Sequence, residues 1–141
     1  MVKQRAVFAF WAAMGFSGSC ATRGYDGPKL PDDQVALIET DSTTIHAVDG
    51  KTVDASKVEV RSGERLLEIA LSEFGSAGNA ITYSWSQPLP LCLIARPRHV
   101  YLVRPARFQG VWGPEIIDTN TTQRVAIRGP DDPSGCPGGQ R

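Results

Sequence analysis

Residues 57–71 read KVEVRSGERLLEIAL, and the fold turns on whether they form two strands or a strand and a helix. Val58 and Val60 alternate with Glu59 and Arg61, and Leu67, Ile69 and Leu71 alternate again beyond Ser62 and Gly63. A period of two gives each run one apolar face, as a half-buried strand requires, and Ser-Gly supplies the turn of a hairpin. A helix also fits, because Leu67, Ala70, Leu71 and Phe74 recur at helical spacing, with Ser62 placed as N-cap and Gly75 as stop.

Outward from that stretch the chain alternates in the same way. Upstream, TIHAVDGKTVD (44–54) sets Asp49 and Gly50 between two short runs, and Asp-Gly favours a two-residue hairpin turn because both positions tolerate positive φ. Downstream, PLPLCLIARPRHVYLVRP (88–105) holds two dense apolar runs around a turn at Arg96 and Pro97. GPEIID (113–118) and QRVAIR (123–128) flank an Asn/Thr-rich turn. The expected class is mostly β: a small two-layer antiparallel β-sandwich of about seven strands over residues 35–128.

A chain of 141 residues, 41% hydrophobic and 21% charged, has room for one domain with a core and not for two large ones. Its first nineteen residues differ from the rest. Lys3 and Arg5 precede an apolar run from Ala6 to Phe16, too short to span a bilayer as a helix, and Ser17, Gly18 and Ser19 lead to Cys20. Residues 1–19 therefore read as a signal peptide. Residues 20–34, with ATRGYDGPKLPDD after the cysteine, have the composition of a flexible tether, and 129–141, GPDDPSGCPGGQR, that of a disordered Gly/Pro-rich tail. The fifteen basic and fifteen acidic residues balance; without Lys3 and Arg5, thirteen oppose fifteen, and no basic patch suggests a nucleic-acid partner.

The segment ending in Cys20 resembles the lipobox of bacterial lipoprotein precursors, with Ser17 where that family usually has Leu. The resemblance implies diacylglycerol on the Cys20 sulfur, cleavage before it and acylation of the new amino terminus. Ala21, in place of Asp, implies sorting to the outer membrane, with the domain facing the periplasm. YDGPKLPDDQVALI, IHAVDGK, VEVRSGERLLEI, ARPRHVYLV and WGPEIIDTNTTQRV together resemble a group of small envelope lipoproteins of Gram-negative bacteria, and the middle hairpins look like PEGA-type β-sandwich modules. That likeness favours strand over helix for residues 66–72. It places Arg98 where the group carries Gly, and it implies no activity.

Few residues are candidates for chemistry. Cys92 and His99 are the elements of a thiol hydrolase, but in a hairpin centred on Arg96 and Pro97 they meet only diagonally, about 7–8 Å apart at Cα, and Cys92 lacks the positive neighbours that activate a thiol. His46 and His99 have no ligand partner at metal spacing, no phosphate loop is present, and neither metal nor cofactor is expected. With Cys20 lipidated, Cys92 and Cys136 are candidates for a disulfide in an oxidising compartment, whose loop entropy is worth about 4 kcal/mol. Tyr83, Trp85 and Trp112, with Tyr101, are ordinary core aromatics or else a ligand surface. The function expected is structural or protein-interacting, through a membrane anchor on Cys20 and an envelope protein partner. A glycan or small-ligand module and a Cys/His hydrolase are the alternatives.

Overall fold

In the computed structural model, which describes residues 20–77, 80–108 and 110–127, alternation prevails over helical spacing throughout. The strands are β1 (Thr22–Arg23), β2 (Val35–Thr40), β3 (Thr43–Val48), β4 (Lys51–Ala55), β5 (Lys57–Arg61), β6 (Gly63–Ala77), β7 (Ala80–Trp85), β8 (Leu89–Ala95), β9 (Val100–Phe108), β10 (Val111–Asp118) and β11 (Gln123–Ile127). The stretch that also allowed a helix lies wholly in β6. The described residues hold eleven strands, more than the seven expected, and one of the additional strands, β1, lies in the segment expected to be a tether.

Two sheets stack as a sandwich. The first runs β1-β5-β2-β9-β10-β11; the second runs β4-β3-β6-β7, with β8 also paired to β6. Most pairs are antiparallel, but β1 lies parallel to β5 and β2 parallel to β9. Ile38, Val58, Val103 and Ile116 from the first sheet meet Ile45, Leu67, Ile69 and Leu93 from the second, all at 1% exposure or less. Each such side chain contributes roughly 1.5–3 kcal/mol by leaving water.

Two expected hairpins form. Asp49 and Gly50 take φ of 48° and 82°, so both central residues of the β3–β4 turn are left-handed, as the Asp-Gly signal requires. The Asp49 carboxylate then reaches β6, accepting from the Leu66 N–H at 2.9 Å and pairing with Arg65 at 2.7 Å. At the other end β10 and β11 pair across Thr119–Thr122, with Asp118 opposite Gln123.

Two other expected hairpins are crossovers. At Ser62 and Gly63 the chain leaves β5 in the first sheet for β6 in the second, aided by a Gly63 φ of 104°. At Arg96–His99 it leaves β8, paired to β6, for β9, paired to β2 and β10, so Cys92 stands opposite Leu66 rather than Tyr101. That second connection is a turn closed by the His99 N–H on the Arg96 carbonyl at 3.3 Å, with Pro97 first and Arg98 second. Pro followed by positive φ is the type II pattern, and Arg98 has a φ of 66°. The strain is tolerated because the turn is pinned to β2: Arg98 N–H donates to Val35 and Leu37 N–H donates to His99.

The true partner of β6 is the ribbon β7–β8. Ser72 faces Trp85 and Ile69 faces Leu89, leaving two residues on one side opposite three on the other. Ser86 bridges the irregularity, its N–H donating to the Leu71 carbonyl at 3.0 Å while its hydroxyl accepts from the Leu71 N–H at 2.8 Å.

The segment expected to be a tether is instead docked. Its backbone joins the sheet through β1, and Gly24 N–H donates to the Glu59 carbonyl at 2.7 Å. A Cβ on Gly24 would sit 3.1–3.2 Å from Val58, Glu59 and Val48, so a larger residue would have to push these neighbours back by a few tenths of an ångström. Among the described residues the strands thus begin at Thr22 rather than Val35, while the expected signal peptide (1–19) and the whole of the expected tail (129–141) lie outside the described residues.

Replacing Arg98 with glycine should relieve the left-handed turn. Removing the Cβ penalty of about 1–2 kcal/mol, less the extra entropy of unfolded glycine, gives a net stabilisation of roughly 0.5–1 kcal/mol, read from the midpoint of urea unfolding. An unchanged or lower midpoint would show that the turn carries no such strain.

Candidate functional site

Two features stand out on the surface. One is the docked N-terminal strap that follows Cys20; the other is a groove where the sandwich ends at β8 and β11.

Tyr25 organises the strap. Within a stretch of Gly, Pro and charged residues it is the one large aromatic, and it is buried at 6% exposure. Its hydroxyl donates to Glu59 Oε1 and accepts from the Leu30 N–H at 3.1 Å, and the Arg61 guanidinium lies 5.6 Å above its ring. Lys51 bonds the Tyr25 carbonyl at 3.2 Å and Asp26 at 2.9 Å, and that bond holds the Asp26 carboxyl below its usual range. Cys20 sits just ahead of β1, exposed and with a free thiol.

The groove has a volume of about 520 Å³ and lies between edges of opposite sheets. Among the described residues β8 pairs only with β6 and β11 only with β10. Leu91, Cys92 and Ile94 come from β8, Gln123 to Ala126 from β11, and Arg96, Tyr101, Asp118 and Thr121 complete the lining. Ile94 and Val125 are unusual for edge aliphatics, 64% and 47% exposed. Tyr101 is fully buried; its hydroxyl accepts from the Arg96 N–H at 2.8 Å, and burial, foremost, raises its pKa. Asp118, 3% exposed, binds His99 Nδ1 at 2.7 Å and accepts from the Asn120 N–H at 2.9 Å, while the His99 ring stacks on Tyr101.

Behind the groove Glu115, also buried, is satisfied by Arg104 and, at 3.5 Å, by Arg124. Burying these carboxylates is affordable only because each meets a hydrogen-bonding partner.

The candidates from sequence fall out as follows. Cys92 lines the groove and is disulfide-bonded, so it presents no thiolate, and His99 is committed to Asp118 through Nδ1. Cys136, its expected partner, lies outside the described residues. In the ladder Tyr83 stands opposite Phe74 and Trp85 opposite Ser72; the side chains of these residues lie outside the described set. Trp112, half-buried, stands opposite Arg107 on the other sheet, so β7 and β10 do not assemble one aromatic surface from a single sheet. His46 pairs with Asp54 at 2.6 Å on the exterior. Among the described residues no group of three His, Cys, Asp or Glu is placed to hold a metal, and no helix is long and apolar enough to cross a membrane.

The chain matches no family model, no curated protein and no solved structure.

The strap should respond to alkali. Burial first, then the bond to Glu59, raises the Tyr25 pKa from 10.0. A raised folded pKa means that its contribution is fully present below the unfolded value and is lost as pH rises through the folded one. Proteolysis within 20–34 should therefore accelerate above about pH 10 while the sandwich core stays protected. Tyr25→Phe should be cleaved faster already at neutral pH, with no further step as tyrosinate forms. Equal cleavage of both proteins at neutral pH would show that the hydroxyl does not hold the strap.

Proposed function

We propose that this chain is a lipid-anchored domain of the bacterial cell envelope, attached through Cys20, facing the periplasm from the outer membrane, with a structural or protein-interacting role. The observation that supports this reading is the position of Cys20: an exposed, free thiol immediately before the first strand, preceded in sequence by a short apolar run and small residues. Two or three acyl chains on such a residue hold far more firmly than one, at about 0.8 kcal/mol per buried CH₂.

Docking of the strap adds orientation. A flexible tether would let the domain tumble above the bilayer, whereas β1 and Tyr25 keep the anchor at the edge of the first sheet where β1 flanks β5. The lipid then fixes which face of the sandwich meets the membrane, and the β8–β11 groove at the opposite edge of that sheet is left for contacts in the periplasm.

Mass spectrometry of protein extracted from membranes tests the anchor. Wild type should begin at Cys20 and carry acyl mass, and Cys20→Ser should move to the soluble fraction or stay as uncleaved precursor. An unlipidated wild type in the soluble fraction, indistinguishable from the variant, would sink the reading.

A further inference from the structure

We propose that the end of the sandwich from which Cys20 departs is a membrane-contact surface, where the outer parts of the β6–β7 and β9–β10 hairpins dip into the bilayer interface beside the lipid anchor. The inference rests on the anchor reading and adds which end of the fold meets the bilayer, and with which residues.

The strand registers fix that end. Across the first sheet Thr22 stands level with Val58, Ile38 and Tyr101, so Cys20, two residues before Thr22, is level with Thr40 and Val103. The Thr43 hydroxyl donates to the Val103 carbonyl at 3.3 Å and Thr43 pairs with Leu71, which brings the second sheet to the same level. Among the described residues two hairpins run on past it. β9 continues for five residues to Phe108, paired there with β10 alone, an overhang of about 16 Å at roughly 3.3 Å per residue. β6 continues for six to Ala77, paired with β7 alone, an overhang of about 20 Å. A two-stranded ribbon is marginal in water by itself, so such overhangs need a surface to lie against.

Their chemistry suits a bilayer. After residue 19 the sequence has seven aromatic residues, and five of them, Phe74, Tyr83, Trp85, Phe108 and Trp112, belong to the overhangs. Tyr83, Trp85 and Trp112 thus share an end of the molecule although they do not share a sheet. Trp and Tyr favour the membrane–water interface because each joins an apolar ring to a polar N–H or O–H. Val111, at the outer end of β10, is 53% exposed, and Arg104 and Arg107 on the paired strand are exposed cations suited to phosphate headgroups. With a lipid on Cys20, two residues ahead of β1, the parts of the fold that reach farther in the same direction meet the bilayer.

Membrane-extracted protein in vesicles of phosphatidylethanolamine and phosphatidylglycerol, with bromine on the acyl chains near the headgroups as a contact quencher of indole, tests this. Flotation with the vesicles reads the anchor, and quenching reads the contact. Beyond residue 19 the tryptophans are Trp85 and Trp112, one and four residues past the level of Cys20. Trp85→Phe, which keeps the deeper indole, should lose at least about half its emission, and Trp112→Phe should lose less. Wild type, with both indoles, should be quenched as well, which keeps the test decisive if a variant fails to fold. Floating protein whose emission ignores the bromines, as when the hairpins bind a protein instead, overturns the inference and leaves the anchor standing. Quenching of Trp85 alone does the same. Protein that does not float sinks the anchor and the inference together.

Discussion

The parallel pairing of β2 with β9 is the constraint on which the rest of the sandwich depends. In the six-stranded sheet it is the single seam between β1-β5-β2 and β9-β10-β11. Its strands are about sixty residues apart in sequence, and the intervening chain builds the entire second sheet before returning. The seam is reinforced at both ends, by the Arg98 turn on Val35 and by the Asp41 N–H and Thr43 hydroxyl on the Val103 carbonyl. Long-range parallel pairing carries a large loop-closure cost, so the two crossovers that deliver β6 and β9 to their places matter more than any one local hairpin.

What could be read from the sequence follows from that distinction. The β3–β4 and β10–β11 hairpins were legible because Asp49-Gly50 and the Thr119–Thr122 turn encode their own local geometry. The period of two in Leu67, Ile69 and Leu71 gave the strand, but nothing in Ser62-Gly63 or Pro97-Arg98 states whether the next strand returns beside the last or crosses to the facing sheet. A positive-φ residue serves either outcome. The parallel seam was illegible for the same reason.

The sites show the same limit. Composition marked residues 21–33 as spacer, yet Tyr25, by finding Glu59, Arg61 and Leu30, joins β1 in docking the segment. A lone aromatic in a Gly/Pro-rich stretch was the available signal. His99 was weighed against Cys92, seven residues away, when its partner is Asp118, nineteen residues on and brought alongside by the β9–β10 ladder. The edge groove had no sequence signal of its own, because it is made by two strands that belong to different sheets.

The strap also gives the molecule a mechanical character. Tension applied at Cys20 acts first on a two-residue edge strand and one aromatic anchor, at the outermost position of the sheet. Hydrogen bonds at such an edge yield one after another, whereas the β2–β9 seam inside the sheet carries load across many bonds at once. Residues 20–34 span about 50 Å when fully extended, at roughly 3.3 Å per residue, and would lengthen before force reached the core. The strap thus stands between a load on Cys20 and the core of the sandwich.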